Sequence, residues 1–454
     1  MIYHSLKQVI RASLFFFFKR ILVSGRQHIP DKGPLIIVAN HPNTLMDPLL
    51  IAAITGQRIG FVANAGIFLN KTITKIFNYF HVIPIYRKKD ILPGEKPDNR
   101  KAFVKCHEYL DQRGSLLIFP EGTSYYELKL REIKTGTARI ALSYEDLKNF
   151  KGNLKIIPIA LDYSDSIQFR SVVSVTICKA IEVEAYQMAY ETNEFDTVGQ
   201  LTEDIRKEFA EIVPQTSGKE QEEFLVNAHH FYTTFYSPKE SLRKNPKQSL
   251  ELRTQVSKAL QLLKTKNLDL YLDTQSKLIR FFKIMKEEKI DPALISAKII
   301  NKYSMPVIVI QFLAFLFLFP FYLLGMFFNY IPYILPAKIF KAMKLDIEYR
   351  APVQMILGLV CFPIYYGLII YVFRKFINDT LWQSLILIVI MPLMGYVSMF
   401  YYAEVKRFSK LWRYKFLINK RKKLEIDNLK EYILNNIESA RKNLELNIKA
   451  NENV

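Results

Sequence analysis

A chain of 454 residues, 50% of them hydrophobic, is long enough for about two or three domains. Its formal net charge of +20 calls for an anionic partner: membrane lipid, phosphorylated metabolites or nucleic acid. Three widely separated cysteines, Cys106, Cys178 and Cys361, exclude a disulfide framework and a zinc ribbon and suit a reducing compartment.

Residues 1–25 mix apolar and basic side chains (Lys7, Arg11, Phe15 to Phe18, Lys19, Arg20) in a run too short to span a bilayer. Two readings stand: an amphipathic helix lying on anionic lipid, or a helix packed on its own domain. The apolar part, Ala12 to Phe18, is followed by Lys19-Arg20 and no small-residue cleavage site, so a cleavable signal peptide is not expected.

Residues 26–190 alternate short apolar runs with helical patterns. Strands are expected at Leu35–Ala39, Arg58–Ala63, Val82–Tyr86, Ser115–Phe119, Leu154–Leu161 and Val172–Ile177. Ala102, Phe103, Cys106, Tyr109 and Leu110 recur at helical spacing, closed by Gly114. The alternation predicts an α/β domain, a mixed sheet flanked by helices. Residues 191–303 read as helical, for example over Gln200–Ile212 and Leu250–Leu278, with breaks at Pro214 to Gly218 and Pro238 to Pro246.

Within 304–402 lie three uncharged apolar stretches, 305–328, 353–373 and 381–402, each longer than the roughly 18 residues that suggest a transmembrane helix. Basic residues precede the first (Arg280 to Lys302), and nine follow the third between Lys406 and Lys423, so both flanks favour the cytoplasmic face. An even number of crossings is then required. The expected resolution makes 305–328, which contains Pro320, a re-entrant or in-plane element. The last two stretches then form a hairpin about Arg374–Thr380. Residues 403–454 form a basic, amphipathic helical tail that lies on the membrane or pairs with another helix. Nucleic acid is the poorest of the three partners, because the basic residues flank membrane stretches and lack an aromatic-interleaved platform.

Chemistry concentrates at Val38-Ala39-Asn40-His41-Pro42-Asn43-Thr44-Leu45-Met46-Asp47-Pro48, where an apolar strand leads to a histidine and a carboxylate six positions apart. A histidine takes a proton from a hydroxyl near neutral pH, and a carboxylate on its other ring nitrogen fixes the tautomer. No second histidine or cysteine nearby completes a metal site, and no Gly-x-Ser-x-Gly elbow occurs in the chain. Taken alone, the stretch also reads as a turn into a helix with Asp47 as N-cap and Pro48 at the first position. A second motif, Ile118-Phe119-Pro120-Glu121-Gly122-Thr123-Ser124, places a carboxylate and a flexible turn after a strand.

Together these motifs resemble the glycerolipid acyltransferase family, which includes 1-acylglycerol-3-phosphate and glycerol-3-phosphate acyltransferases. The likeness covers roughly residues 25–190. Val82-Ile83-Pro84-Ile85-Tyr86-Arg87 resembles the second block of that family, Ile156-Ile157-Pro158-Ile159-Ala160 its fourth, and Lys134-Thr135-Gly136 the Lys-x-Gly that often follows the third. Two departures stand out. The His-to-Asp spacing is one residue longer than usual, as in a branch resembling fungal glycerol-3-phosphate/dihydroxyacetone-phosphate acyltransferases. Ser124 also stands where an arginine is common. Neither spacing aligns the two side chains on a helix, since five steps turn about 140° and six about 240°. They must therefore meet across the loop.

The resemblance implies transfer of an acyl group from acyl-CoA or acyl-carrier protein to glycerol-3-phosphate or its monoacyl product. His41 would be the general base and Asp47 its orienting acid. Arg87 and Lys134 (or else Arg131 or Arg139) would grip a phosphate, and Glu121, Gly122 and Thr123 would bind substrate or brace the loop. It implies no metal, no redox cofactor and no covalent enzyme intermediate. Membrane lipids, a glycerol-phosphate acceptor and an acyl donor are the expected partners, with the acyltransferase domain on the cytoplasmic face. The alternatives are an acyltransferase for another lipid acceptor, such as an amino-acid lipid or glycolipid, and a catalytically silent lipid-binding protein.

Overall fold

Apolar runs that alternate with amphipathic ones build a sheet covered on both faces. The computed structural model describes residues 2–68, 70–87, 98–124, 130–210, 219–236, 246–295, 304–377 and 381–452. It comprises two units: Met1–Gln215 with Leu345–Met355, and Thr216–Lys344 with Ile356–Val454.

The first unit runs α1 (Ile2–Phe17), β1 (Arg20–Ser24), β2 (Leu35–Ala39), α2 (Met46–Ile54), β3 (Ile59–Asn64), α3 (Lys71–Tyr79), β4 (Val82–Ile85), α4 (Arg100–Asp111), β5 (Ser115–Ile118), α5 (Gly136–Leu147), β6 (Lys155–Tyr163), β7 (Val172–Ile177), β8 (Ile181–Glu182), α6 (Gln187–Thr192) and α7 (Glu194–Ala210). The eight strands form one mixed sheet in the order β1-β7-β6-β2-β5-β3-β4, with β8 beside the start of β6. β7 and β8 run antiparallel to β6, and the other pairs are parallel. Every residue of β2 is buried, as a strand covered on both faces requires. Ile36 and Val38 point to a layer that includes α4, α5 and α7, while Leu35, Ile37 and Ala39 point to one that includes α1 and α2.

Two sequence expectations change here. The helix expected over 1–25 ends at Phe17, and Arg20–Ser24 becomes the edge strand beside β7. That pairing joins residues about 150 positions apart, so no local pattern announces it. The α1 helix docks on this domain: Leu14, Phe17 and Phe18 are in the core, Lys7 Nζ donates to Thr55 O at 2.8 Å, and Arg11 Nε donates to Ala53 O at 2.8 Å. These cations satisfy carbonyls that the end of α2 leaves open. The opposite face leaves Val9, Phe15 and Phe16 exposed. The first unit also extends past residue 190, because Val198, Leu201, Ile205 and Phe209 of α7 bury into the sheet core.

In the second unit α8 (Lys219–Phe235), α9 (Pro246–Lys266) and α10 (Leu268–Glu287) precede the apolar helices α11 (Met305–Met343), α12 (Arg350–Ile377, whose first turns belong to the first unit) and α13 (Leu381–Trp412). The tail α14 (Lys420–Glu452) follows. α14 packs with α8, α9 and α10 around Phe224, Phe231, Leu260, Phe281 and Ile433, so the tail pairs with helices. The break expected at 214–218 lies outside the described residues, and α9 starts at Pro246.

Among the described residues, three helices are long and apolar enough to cross a membrane. α11 is continuous through Pro320, Pro332 and Pro336, about 58 Å at 1.5 Å per residue, which removes the re-entrant reading of 305–328. Its long partner is α13; residues 378–380 of the loop of the expected hairpin lie outside the described residues. The two helices are antiparallel. Ser398 Oγ donates to Tyr322 O at 2.8 Å, Asn329 Nδ2 donates to Met391 O at 2.9 Å, and Phe315 meets Phe408 at 5.5 Å. A Cβ at Gly325 would fall 2.1 Å from Met394 O, so glycine permits this approach. The segment that precedes α11 meets the last turn of α13 and the first turn of the tail, with Lys410 Nζ 3.8 Å from Asp291 and Lys422 paired with Glu288.

The docking of α1 predicts a contrast. Phe18→Ala, at a side chain 1% exposed, should cost about 3–5 kcal/mol of unfolding free energy. Phe15→Ala, 71% exposed, should stay within about 0.5 kcal/mol. Denaturant unfolding in detergent measures both, and equal losses would detach α1 from the core.

Candidate active site

β2 lies between β5 and β6 and delivers Asn40 and His41 to the C-terminal edge of its parallel neighbours, where α/β sheets collect their sites. Asn40 extends the ladder by one side chain: its Oδ1 accepts from Leu161 N at 2.7 Å and its Nδ2 donates to Leu161 O at 3.0 Å. His41 then turns its ring toward α2. The six-residue spacing closes across the loop, with His41 Nδ1 2.9 Å from Asp47 Oδ2.

The helix starts at Met46, two residues earlier than an Asp47 N-cap requires. Asp47 therefore sits inside the first turn and reaches back, its Oδ2 accepting from Asn43 N at 2.7 Å. Its Oδ1 accepts from the Tyr163 hydroxyl at 2.6 Å, and the side chain is fully buried. An ionised carboxylate only accepts, so Nδ1 carries the imidazole proton and Nε2 keeps its lone pair. Phe119 stacks on the imidazole with ring centres 3.8 Å apart and planes 13° apart.

The second motif closes against the first. Glu121 follows β5 and its Oε1 accepts from His41 N at 3.1 Å, so this carboxylate braces the loop that carries the imidazole. Burial holds the Glu121 carboxyl above the ordinary range, against the backbone N–H of His41, the His41 charge and the N–H of Arg131. Gly122 has a φ of 71°, and a Cβ there would lie 3.3 Å from Lys134 Nζ. Arg87 Nη1 donates to Gly122 O at 2.8 Å, and Lys134 N donates to Pro120 O at 3.0 Å. Arg87, Gly122 and Lys134 thus converge on one turn, with Thr123 partly buried beside them, while Arg139 is exposed on α5. Among the described residues, no three His, Cys, Asp or Glu side chains cluster as metal ligands would.

The sequence reading missed several parts of this site. Ser124, which stands where the related pattern has arginine, accepts from Thr44 N at 2.8 Å and ties the two loops together. Asn43 Nδ2 donates to Ser166 O, and Thr44 Oγ1 donates to Glu348 O at 3.0 Å. Tyr163 carried one weak signal, a hydroxyl-bearing ring at the end of an otherwise apolar strand.

Residues 20–162 match the family model described as Acyltransferase. The match gives this part of the chain an acyltransferase domain. Among curated relatives, the chain is 27% identical over 150 residues to the chloroplastic 1-acyl-sn-glycerol-3-phosphate acyltransferase LPAT1 of Arabidopsis thaliana, covering 33% of this chain and 37% of that one. It is 30% identical over 148 residues to glycerol-3-phosphate O-acyltransferase 1 of Saccharomyces cerevisiae, covering 32% and 19%. The matched part thus spans little more than a third of the first relative's length and under a fifth of the second's. A solved structure of the 1-acyl-sn-glycerophosphate acyltransferase PlsC from Thermotoga maritima aligns with a TM-score of 0.32 and 18% identity, over 45% of this chain and 80% of that one.

In this acyltransferase domain the raised Glu121 pKa has a defined sign. The unfolded carboxyl ionises first as pH rises, so the folded state holds the extra proton. The contribution of Glu121 to stability therefore falls between its ordinary and its raised pKa. Glu121→Gln keeps an acceptor for His41 N and should abolish that fall. Unfolding curves across the acidic range test it, and a Glu121→Gln profile parallel to wild type would contradict it.

Proposed function

We propose that the protein is a membrane-bound O-acyltransferase. It moves a fatty acyl group from acyl-CoA or acyl-carrier protein to a hydroxyl of glycerol-3-phosphate or 1-acylglycerol-3-phosphate. The observation that carries the reading is the buried Asp47 carboxylate on His41 Nδ1, which leaves Nε2 as the basic nitrogen beside the Glu-Gly turn. The acceptor hydroxyl gives its proton to Nε2 while its oxygen attacks the thioester carbonyl. The C–O bond forms, the C–S bond breaks, and the imidazolium returns the proton to the departing thiolate.

Cys106 does not suit a nucleophile: it is buried, and burial pushes its thiol up to about 12. Arg87 and Lys134 stand at the turn where a phosphate would be gripped, an assignment supported by the acceptors in the names of both relatives. Ser124 in place of arginine is the one feature favouring another lipid acceptor. The three apolar helices support a membrane-bound enzyme, and the cytoplasmic face is where an acyl-CoA donor is met.

His41→Ala should lower turnover of labelled acyl-CoA at least a thousandfold while leaving the protein folded and membrane-bound; retained turnover would remove the proposed base. Arg87→Ala should mainly raise KM for phosphorylated acceptors, and an equal loss with unphosphorylated ones would shift the reading to another lipid. A cysteine at the exposed Gln112, in a cysteine-free background, should react with an impermeant maleimide only from the cytoplasmic side. Labelling from the opposite side would overturn that orientation.

A further inference from the structure

Tyr163 closes β6 one residue beyond the stretch that matches the acyltransferase family model. Its ring is 5% exposed and packs on Phe18 with centres 5.9 Å apart. Its hydroxyl donates to Asp47 Oδ1 at 2.6 Å, so the fully buried carboxylate receives three donors, the others being His41 Nδ1 and Asn43 N. Burial, and then the Asp47 charge, hold the phenol well above its ordinary range, which keeps it a donor throughout any assay.

An ionised carboxylate without water is costly unless its lone pairs are met. Two donors on Oδ2 alone would leave Oδ1 open and the carboxylate free to rotate or to take up a proton. With Oδ1 anchored from the sheet, Oδ2 is the oxygen that faces the imidazole.

We propose that Tyr163 is a positioning residue for acyl transfer: it keeps the Asp47 carboxylate ionised and aimed at His41, so that Nε2 remains the basic nitrogen. The inference rests on the reading of His41 as the base. The titratable groups facing the pair are Tyr163 from β6 and Glu121 from the turn after β5. Arg87, Arg131 and Lys134 surround that turn, and Phe18 just after α1, with Ala351 and Met355 from the segment at 345–355, belongs to the adjoining apolar core. Glu121 is therefore the group whose titration must be separated.

The experiment measures kcat and KM against pH for full-length protein in nanodiscs, using labelled acyl-CoA and a glycerol-phosphate acceptor. Tyr163→Phe should lower kcat roughly tenfold or more while leaving acceptor KM within about twofold. The acid limb should move up, because a carboxylate relieved of one donor holds the imidazolium more tightly. The same displacement should appear in a Glu121→Gln background. In an Asp47→Asn background, Tyr163→Phe should change kcat by less than about twofold, since the two act through one bond.

An unmoved limb, or a full additional loss on Asp47→Asn, would reduce Tyr163 to packing and overturn the proposal. Should Tyr163→Phe fail to fold, 3-fluorotyrosine at position 163 keeps the ring and strengthens the donor. It is expected to move the limb downward, and a limb that stays in place overturns the proposal equally. Turnover retained by His41→Ala would instead strike the base itself, so the two failures are distinguishable.

Discussion

One buried carboxylate organises the acyltransferase domain. Asp47 has no exposed surface, and an unpaired charge there would cost more than a domain of marginal stability can lose. Its three donors come from different places: the loop backbone at Asn43, the imidazole of His41, and the far end of β6 at Tyr163. Satisfying this charge fixes the path of the loop at 40–45, the start of α2 and the direction of the imidazole together. The extra residue between His41 and Asp47 is absorbed where Met46 N and Asp47 N turn back on Asn43 O.

The rest of the loop is held from elements distant in sequence. Asn40 is clamped to β6, Thr44 N to Ser124, and His41 N to Glu121. The second motif therefore acts on the first by hydrogen bonds to its backbone. Glu121 braces the strand end, and Arg87 fastens the carbonyl of Gly122 at the same turn. Under the proposed function, a phosphate held by Arg87 would pull on the turn that supports the imidazole.

Six of the eight strands were legible in the sequence, because runs such as Leu35–Ala39 are apolar throughout and bounded by turn residues. β1 was not: Arg20–Ser24 follows an apolar helix without a turn signal, and its partner β7 lies far along the chain. The His41, Asp47, Glu121 and Arg87 positions could be read because their motifs are local. Tyr163, Asn40 and Ser124 could not, since their roles are set by tertiary pairs. In the apolar region, Pro320 suggested a break, yet α11 runs through it, as membrane helices do when neighbouring groups meet the freed carbonyls. The α11–α13 pairing rests on Gly325, Asn329 and Ser398, single residues whose meaning appears only once the partner helix is present.

The segment Leu345–Met355 belongs with the sheet although some 130 residues separate it from Gln215. Ala351 is fully buried and Met355 nearly so, both in the cluster that holds Met46 and Leu50 of α2. The unit that holds the sheet is thus discontinuous in sequence. Cutting the chain after its sheet would open an oily hollow beneath α2 and strip Thr44 of its carbonyl partner. A portable version of this domain would need that short segment grafted back.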